Sequence, residues 1–542
     1  MKVLILGGVA AGTKVAAKLK RLRYDADVTI LTKDRDISYA GCGLPYYVGD
    51  VIQEREKIIV NTPEKFAGLT GARVLTGKEA IRLDGAEKQV AVRDAESGKE
   101  ELYGYDALVI ATGASAIVPP LPGVGLKGVF TMRTPEDAER LKAYIKEKQV
   151  KRAVVAGGGF IGLEVAENLK EAGAAVQVID MAPQIMPGFD KEFAVYVQRY
   201  LEEQGIPVWT DTKMQEILGE DAVSGVKTDK GVLDAEAVVL SLGIRPNTAF
   251  LRDSGLTFAK NGAVLVDRML RTSLPDVYAA GDCAVVSHAI TGEPAWAPMG
   301  SAANMEGRLL AEILGGEEKQ FGGVLGTAVV KLPGLNAART GLNEEAAKQA
   351  GYETETVVTV NDDKAHYYPG ADNFVTKLIA DRKTHRLLGL QVLGSGAVDK
   401  MADIAVTAIT LGATLEQLEN MDLAYAPPFS TAIHPFVAAV NIMLNKLEGR
   451  MDTMTPAEYL EHGAEGYQVI DVSLTPAIPN ARFVDVAKVN GPLEGIPLDE
   501  KLLLICTKGK RSYLLQQRLK YFGYTNTKVL EAALWINACP SI

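Results

Sequence analysis

Ala153-Val-Val-Ala-Gly157-Gly-Gly159-Phe-Ile-Gly162-Leu-Glu164 runs from an apolar strand pattern into a helix pattern through three glycines at fixed spacing. A second apolar run, Val176-Gln-Val-Ile-Asp180, ends in a carboxylate eighteen residues past Gly162. Strand, glycine turn, helix and parallel strand make one βαβ unit. The N–H groups at its helix start cradle a pyrophosphate, and its terminal acid holds ribose hydroxyls. Few other folds impose that order. A dinucleotide-binding α/β domain is therefore expected here, with Gly157, Gly159, Gly162, Glu164 and Asp180 at the nucleotide. Asp180 would repel a 2′-phosphate and no arginine follows it closely, which favours NADH over NADPH.

The same plan recurs at the N-terminus, in Val3 to Leu6, the turn Gly7-Gly-Val-Ala-Ala-Gly12, a helix over Thr13 to Arg23 and a strand over Val28 to Leu31. Val9 replaces the middle glycine. Thr32, followed by Lys33 and Asp34, stands where an acid would end the second strand; its hydroxyl can still bond a ribose, though less strongly than a carboxylate. Gly7, Gly8 and Gly12 then mark a phosphate site, with Thr32 and Lys33 beside the ribose.

Roughly thirty residues on comes Ser38-Tyr-Ala-Gly-Cys42-Gly-Leu-Pro-Tyr46. Gly41 and Gly43 leave room beside the thiol for the flat face of a large cofactor. Taken alone, the segment fits either a redox thiol or a small cysteine packed beside a turn. Three more segments carry tight turns: Leu108-Val-Ile-Ala-Thr112-Gly113, Ala237-Val-Val-Leu-Ser-Leu-Gly243-Ile-Arg-Pro-Asn247, and Thr272-Ser-Leu-Pro-Asp-Val-Tyr-Ala-Ala-Gly281-Asp282. The last puts a carboxylate where it can accept bonds from a sugar-alcohol chain.

Composition narrows the partners. A chain of 542 residues holds three or four domains at roughly 150 residues each. Its net charge of −10 argues against a general nucleic-acid surface. No apolar run approaches the roughly 18 residues of a membrane span, and Met1-Lys-Val-Leu-Ile-Leu reads as a strand rather than a signal peptide, so a cytoplasmic location is expected. Four cysteines (Cys42, Cys283, Cys506, Cys539), without a CxxC or a Cys/His cluster, suit neither a disulfide scaffold nor a structural metal site. A cysteine with a task is then a reactive thiol; Cys283 and Cys539 are expected to be structural.

In their order these segments resemble the two-dinucleotide flavoprotein disulfide reductases. The resemblance implies FAD on the first βαβ unit, with Thr112, Gly113, Gly243 and Gly281 closing over it and Asp282 holding its ribityl chain, and NADH (or NADPH) on the second. Redox cysteine pairs in that superfamily read CxxxxC, but the fifth residue after Cys42 is Tyr47. The pattern SxxxCGxPY instead resembles the single-cysteine branch of coenzyme A-disulfide reductases, NADH oxidases and NADH peroxidases. A lone thiol completes its cycle through a mixed disulfide with an outside thiol or through a sulfenic acid. A flavin against the sulfur, with a helix N-terminus nearby, would favour its thiolate. Lys14, Lys18, Lys20, Arg21 and Arg23 crowd the helix after the first turn. Such a run fits a solvated helix face. In the coenzyme A-disulfide reductases, however, residues matching Lys18, Arg21 and Ser38 contact coenzyme A.

From about Gly323 to Lys446 the pattern becomes four strands (Ala328 to Leu332, Thr356 to Val360, Val375 to Ala380, Leu387 to Leu393) and two helices. It resembles the family's dimerisation domain and implies a homodimer. By that resemblance Tyr367 and Tyr425 reach the neighbouring subunit's Cys42, where their hydroxyls would stabilise a leaving thiolate; the alternative is simple interface packing. His434-Pro435 is similar to the His-Pro that supplies the acid in paired-cysteine reductases. Its place after Pro427-Pro428 makes it the weaker candidate.

A linker over Gly449 to Pro456 leads to a strand at Val469 to Val472, a strand at Leu502 to Ile505, and Cys506-Thr-Lys-Gly-Lys-Arg511-Ser512 opening a helix over Tyr513 to Phe522. A cysteine between a parallel strand and a helix N-terminus sits in an anion-binding cradle, which favours a nucleophilic thiolate and can hold the second sulfur of a persulfide. Lys508, Lys510 and Arg511 add positive charge. The segment resembles a rhodanese-type sulfurtransferase domain, with the six-residue loop of that class and Trp535 beyond. It departs at Asp471-Val-Ser473, where Asp-Val-Arg is usual, and at Ile478-Pro-Asn-Ala, where His-Ile-Pro-Gly-Ala is usual.

The expected class is α/β: an FAD domain (1–115 and 245–320), an NAD domain (116–244), an α+β dimerisation domain (321–446) and a rhodanese-like α/β domain (453–542). Such a fusion resembles the coenzyme A-disulfide reductase-rhodanese proteins, NAD(P)H-dependent persulfide or polysulfide reductases. That implies electrons passing from NADH through FAD to Cys42, with coenzyme A persulfide, polysulfide or coenzyme A disulfide as acceptor, and Cys506 and Arg511 serving sulfane-sulfur transfer. Oxygen or peroxide as the acceptor, and a tail that only docks a partner, are the alternatives.

Overall fold

The computed structural model describes residues 1–536; Cys539 lies outside the described residues. The chain divides into two compact units, Met1–Ile185 with Glu202–Val324, and Met186–Leu201 with Leu325–Ile542.

The first unit is built from two parallel five-stranded sheets on one plan. In one, Lys2–Leu6 lies centrally between Asp27–Leu31 and Ala107–Ile110, with Arg73–Leu75 and Val277–Ala279 outermost. In the other, Arg152–Ala156 lies between Ala175–Ile179 and Ala237–Leu240, with Val208–Trp209 and Val129–Thr131 outermost. The central strands read as unbroken apolar runs because both faces of each parallel sheet are covered. Val3 and Ile5 pack with Val15 and Leu19 of a helix, Leu4 and Leu6 with Leu83, Val90 and Val92 of a small antiparallel sheet, and Val154 and Ala156 with Ile217 and Val226 of another; Val3 to Leu6 and Ala153 to Ala156 are all buried. Each glycine turn passes directly into a helix, Ala10–Leu22 after the first and Phe160–Glu171 after the second. The first helix thus begins three residues earlier than its sequence pattern suggests, inside the turn. Each sheet is also accompanied by a three-stranded antiparallel sheet, over Lys78–Gly104 and Met214–Asp234.

The second unit holds an antiparallel sheet ordered Ala328–Leu332, Leu335–Gly341, Leu387–Gly394, Asn373–Asp381 and Thr354–Asp362, packed on the helices Val398–Thr410 and Pro435–Leu447. The stretch Met186–Leu201, inside the expected NAD domain, belongs to this unit. Lys377 on the sheet is 1% exposed and meets Asp190, Glu192 and Glu344 at 2.7–2.8 Å, and a buried ammonium needs such company. The C-terminal module is a parallel sheet ordered Thr453–Met454, Thr527–Leu530, Leu502–Ile505, Gln468–Asp471 and Arg482–Phe483, with the helix Lys510–Tyr521 against it. Among the described residues no helix is long and apolar enough to cross a membrane, and no group of three His, Cys, Asp or Glu side chains is placed to hold a metal.

Candidate active site

At the second turn Gly157 has φ +114°, and a Cβ on Gly162 would sit 2.0 Å from the Gly157 carbonyl oxygen, so both positions require glycine. Gly159 has nothing within 4 Å of its missing Cβ, leaving open space in front of the helix start. Asp180 accepts the Gly158 N–H at 2.7 Å and the Ala182 N–H at 2.8 Å, which fixes its carboxylate at the mouth of the turn. Open space before a helix N-terminus and a fixed acid suit a dinucleotide.

The first turn has the same backbone. Thr32 is buried with its methyl toward Gly8, and Lys33 is exposed. Asn247 ties the neighbouring segment together: its backbone oxygen accepts the Thr112 hydroxyl at 2.8 Å, and its Nδ2 donates to the Thr112 carbonyl at 3.0 Å. Gly113, Gly243 and Gly281 all have positive φ, as their tight turns require. Ser38, at φ +48°, donates its N–H to the Gly8 carbonyl and so hangs the Cys42 segment from the first turn. Cys283 is fully buried against the Ile110 and Ala280 carbonyls, with its thiol pushed up to about 11 by desolvation, an inert structural residue.

Cys42 lies exposed in the short 3-10 turn Gly41–Gly43, and Gly41 beside it opens onto free space. This side fits a flat ring. The surrounding protein, the Glu164 carboxylate and the Asp282 carboxylate raise the thiol above its ordinary value, and only Arg133 opposes them. These surroundings oppose the thiolate that a flavin against the sulfur is expected to favour. The causes are visible. Glu164 accepts the Tyr46 hydroxyl at 3.0 Å, which places it in the Cys42 neighbourhood, and Asp282 is engaged by Arg133. Arg133 also donates Nε–H to the Ala114 carbonyl at 2.9 Å. Glu306, 2% exposed, accepts the Gly281 N–H at 2.6 Å and is pushed up to about 7 by burial. Arg133 and Glu306 escape a sequence reading because no motif of their own marks them, whereas Tyr46 closes the SxxxCGxPY pattern without its partner Glu164 being named by it.

The basic helix is less available than its charge suggests. Lys18 pairs with Glu312 at 3.2 Å, Lys20 donates to the Ala26 carbonyl at 2.9 Å, and Arg23 pairs with Asp25 at 3.1 Å. Arg21 stands exposed.

In the second unit Tyr367 and Tyr425 are both exposed and meet, and a hydrogen bond to Tyr425 holds the Tyr367 phenol above its ordinary value. His434 is buried, accepts the Phe436 N–H on Nδ1 at 3.2 Å and is pushed down to about 4, by burial first and then by Lys400. It caps the helix Pro435–Leu447 and stays neutral near pH 7, so it is no general acid there. Cys506 is 2% exposed, at the end of Leu502–Ile505, and its Sγ accepts the Gly509 N–H at 3.1 Å. Ser512 Oγ is buried at the start of the next helix with no hydrogen-bond partner among the described residues. Arg511, expected to be catalytic, donates Nε–H to the Val472 carbonyl at 2.8 Å and lies 3.7 Å from Asp485. On this geometry it braces the loop against the neighbouring strand. Lys508 pairs with Asp362 at 2.6 Å, which removes it from the free charge expected around the sulfur.

Comparison with known proteins agrees with this arrangement. The NAD(P)H coenzyme A polysulfide/persulfide reductase of Pyrococcus horikoshii is 36% identical over 447 residues, 82% of this chain and 98% of that protein. An NADH oxidase of Methanocaldococcus jannaschii is 34% identical over 451 residues, 83% of this chain and 100% of that protein. The solved structure of an NAD-dependent persulfide reductase from A. fulgidus superposes with a TM-score of 0.93 at 35% identity, covering 99% of this chain and 100% of that one. Residues 1–303 match the model of the pyridine nucleotide-disulphide oxidoreductases and residues 327–436 that of their dimerisation domain. With its two glycine turns, exposed single thiol and antiparallel second sheet, the chain belongs to the FAD- and NAD(P)H-dependent pyridine nucleotide-disulphide oxidoreductase family.

Proposed function

We propose that this protein reduces coenzyme A persulfide, polysulfide or coenzyme A disulfide through Cys42 alone, at the expense of NAD(P)H, and that its C-terminal module is a rhodanese-like carrier of sulfane sulfur on Cys506. The observation that carries the reading is Cys42 itself. It is exposed on a glycine-flanked turn, and tyrosine fills the position where a paired cysteine would stand.

Gly7, Gly8, Gly12, Thr112, Gly113, Gly281 and Asp282 would hold the flavin, and Gly157, Gly159, Gly162 and Asp180 the nicotinamide dinucleotide, with NADH favoured by Asp180. Once bound, these groups supply the electron pair for reduction of a disulfide at Cys42. The Cys42 thiolate attacks the inner sulfur of a coenzyme A persulfide, forming the Cys42–coenzyme A disulfide and releasing hydrosulfide. Two electrons and one proton then return the thiolate and free coenzyme A. Exposed Arg21 and half-buried Ser38 are the better placed of the expected coenzyme A contacts, since Lys18 is already paired. Tyr367 and Tyr425 offer phenols to a leaving thiolate across a homodimer in the cytoplasm. At Cys506 the Gly509 N–H and the unpartnered Ser512 hydroxyl are donors for a terminal sulfur.

A mass spectrum of the protein as isolated tests this. A coenzyme A adduct on Cys42 and an added sulfur on Cys506 are expected, and Cys42→Ser should abolish anaerobic NADH turnover with polysulfide or coenzyme A disulfide. Full turnover in that variant overturns the reading. The resemblance to an NADH oxidase keeps oxygen as a second acceptor; faster turnover in air than with any sulfur acceptor would favour it.

A further inference from the structure

The strand Thr354–Asp362 is outermost in its sheet, so every second residue turns a backbone N–H and carbonyl away from its single neighbour. The C-terminal module and the helix Pro435–Leu447 occupy those groups. Lys446 Nζ donates to the Thr356 carbonyl at 2.7 Å, the Val358 N–H donates to Glu531 Oε2 at 2.7 Å, and the Ala532 N–H donates to the Val358 carbonyl at 3.1 Å. Glu531 is 2% exposed and also takes Lys446 at 2.8 Å and the Thr453 hydroxyl at 2.6 Å. The module is thus fastened along this strand before its sulfur loop is considered.

The last residue of the strand, Asp362, takes Lys508 at 2.6 Å, with both side chains about one-third exposed. Lys508 stands two residues after Cys506 and three before Arg511, which is tied to Val472. The loop is therefore held at two points, at Arg511 within its own module and at Lys508 to the neighbouring sheet. A loop lysine beside a sulfur carrier would ordinarily be assigned to binding an anionic donor. Here its charge is already matched.

We propose that Asp362 is a positioning residue for the Cys506 loop: through Lys508 it holds the Gly509 N–H on the sulfur, and Lys508 does not bind the sulfur donor. The proposal rests on Cys506 carrying sulfur, as proposed above.

The test uses the full-length protein, thiosulfate as sulfur donor and cyanide as acceptor. Asp362→Asn and Lys508→Met should each lower kcat about three- to tenfold with the KM for thiosulfate unchanged. The double variant should be no worse than either, because both remove one contact. Lys508→Arg, which keeps the pair, should retain at least half of the wild-type kcat. Alkylation of buried Cys506 by iodoacetamide should accelerate about three- to tenfold in Asp362→Asn, a readout independent of turnover. If Lys508→Met raises KM while Asp362→Asn lowers it, Lys508 is a substrate cation and the proposal is overturned. Wild-type rates in both variants overturn it too. Should one variant fail to fold, judged by its thermal midpoint, the other decides. An inactive wild type would instead strike down the sulfurtransfer reading itself.

Discussion

The two glycine turns of the first unit have one backbone and different side chains, and setting them side by side separates what the fold demands from what a ligand demands. Gly7 and Gly157 share φ +114°, and a Cβ would lie 2.0 Å from the Ala111 carbonyl oxygen at the first and 2.2 Å from that of Ser241 at the second. Gly12 and Gly162 each back onto a carbonyl oxygen at 2.0 Å. Those four glycines are dictated by chain crossing. The middle position is different: Gly159 faces open space, and in the first turn Val9 occupies it without disturbing the strand or helix on either side. The terminal acid differs likewise. Asp180 locks the second turn through Gly158, whereas Thr32 reaches the first with a methyl group. A fingerprint that looks like one signal thus combines a steric rule with a binding rule, and only the second can vary while the fold persists.

The sharpest way to break this comparison is to put a methyl group at each kind of position. Gly12→Ala and Gly162→Ala should each cost more than about 3 kcal/mol, because the obstructing atom is backbone, and little soluble protein is expected. Gly159→Ala should melt like the wild type and lose affinity for NADH in a fluorescence titration. Equal melting of all three would refute the division.

Beneath the first turn lies a second test, since the buried Glu306 on Gly281 has no counterpart described at the second. Its folded pKa of about 7 lies above the ordinary 4.5. The contribution to stability is therefore complete below about pH 4.5 and is lost as pH rises through about 7, amounting to about 3 kcal/mol. Glu306→Gln keeps an acceptor for the Gly281 N–H and should melt higher than the wild type at pH 8, with the advantage gone at pH 4.5. A difference independent of pH would show that Glu306 does not titrate in this range.

The smallest effect joins the second turn to Cys42, the thiol proposed to react. Glu164, on the helix that leaves Gly159, repels a thiolate at Cys42. Glu164→Gln should move the midpoint of iodoacetamide labelling at Cys42 downward, by less than moving the thiol into water would, since burial is the larger cause. No movement would mean that the carboxylate is screened from the sulfur.

What the chain discloses in its sequence follows from the same division. The strands Ala328–Leu332 and Leu502–Ile505 were legible to the residue, because a run of apolar side chains bounded by turn residues is a local signal. Both glycine turns and Cys42 were legible for the same reason. The partners were not. Arg133 meets Asp282 across 149 residues, Lys377 meets Glu192 across 185, and Lys508 meets Asp362 across 146. A lysine in a strand or a loop has no periodicity that names the carboxylate it will find, so charge counted along the chain overstated what Lys18, Lys508 and Arg511 have left to offer a ligand.

The docking of Glu531 and Ala532 on the outermost strand carries a consequence for anyone handling fragments of this protein. A polypeptide ending at the linker would leave Lys446 without Glu531 and the Val358 amide and carbonyl unpaired, a ready template for sticking to another copy. The tail is in that sense a sheath, whatever sulfur it carries, and truncating it to simplify the protein should invite polymerisation.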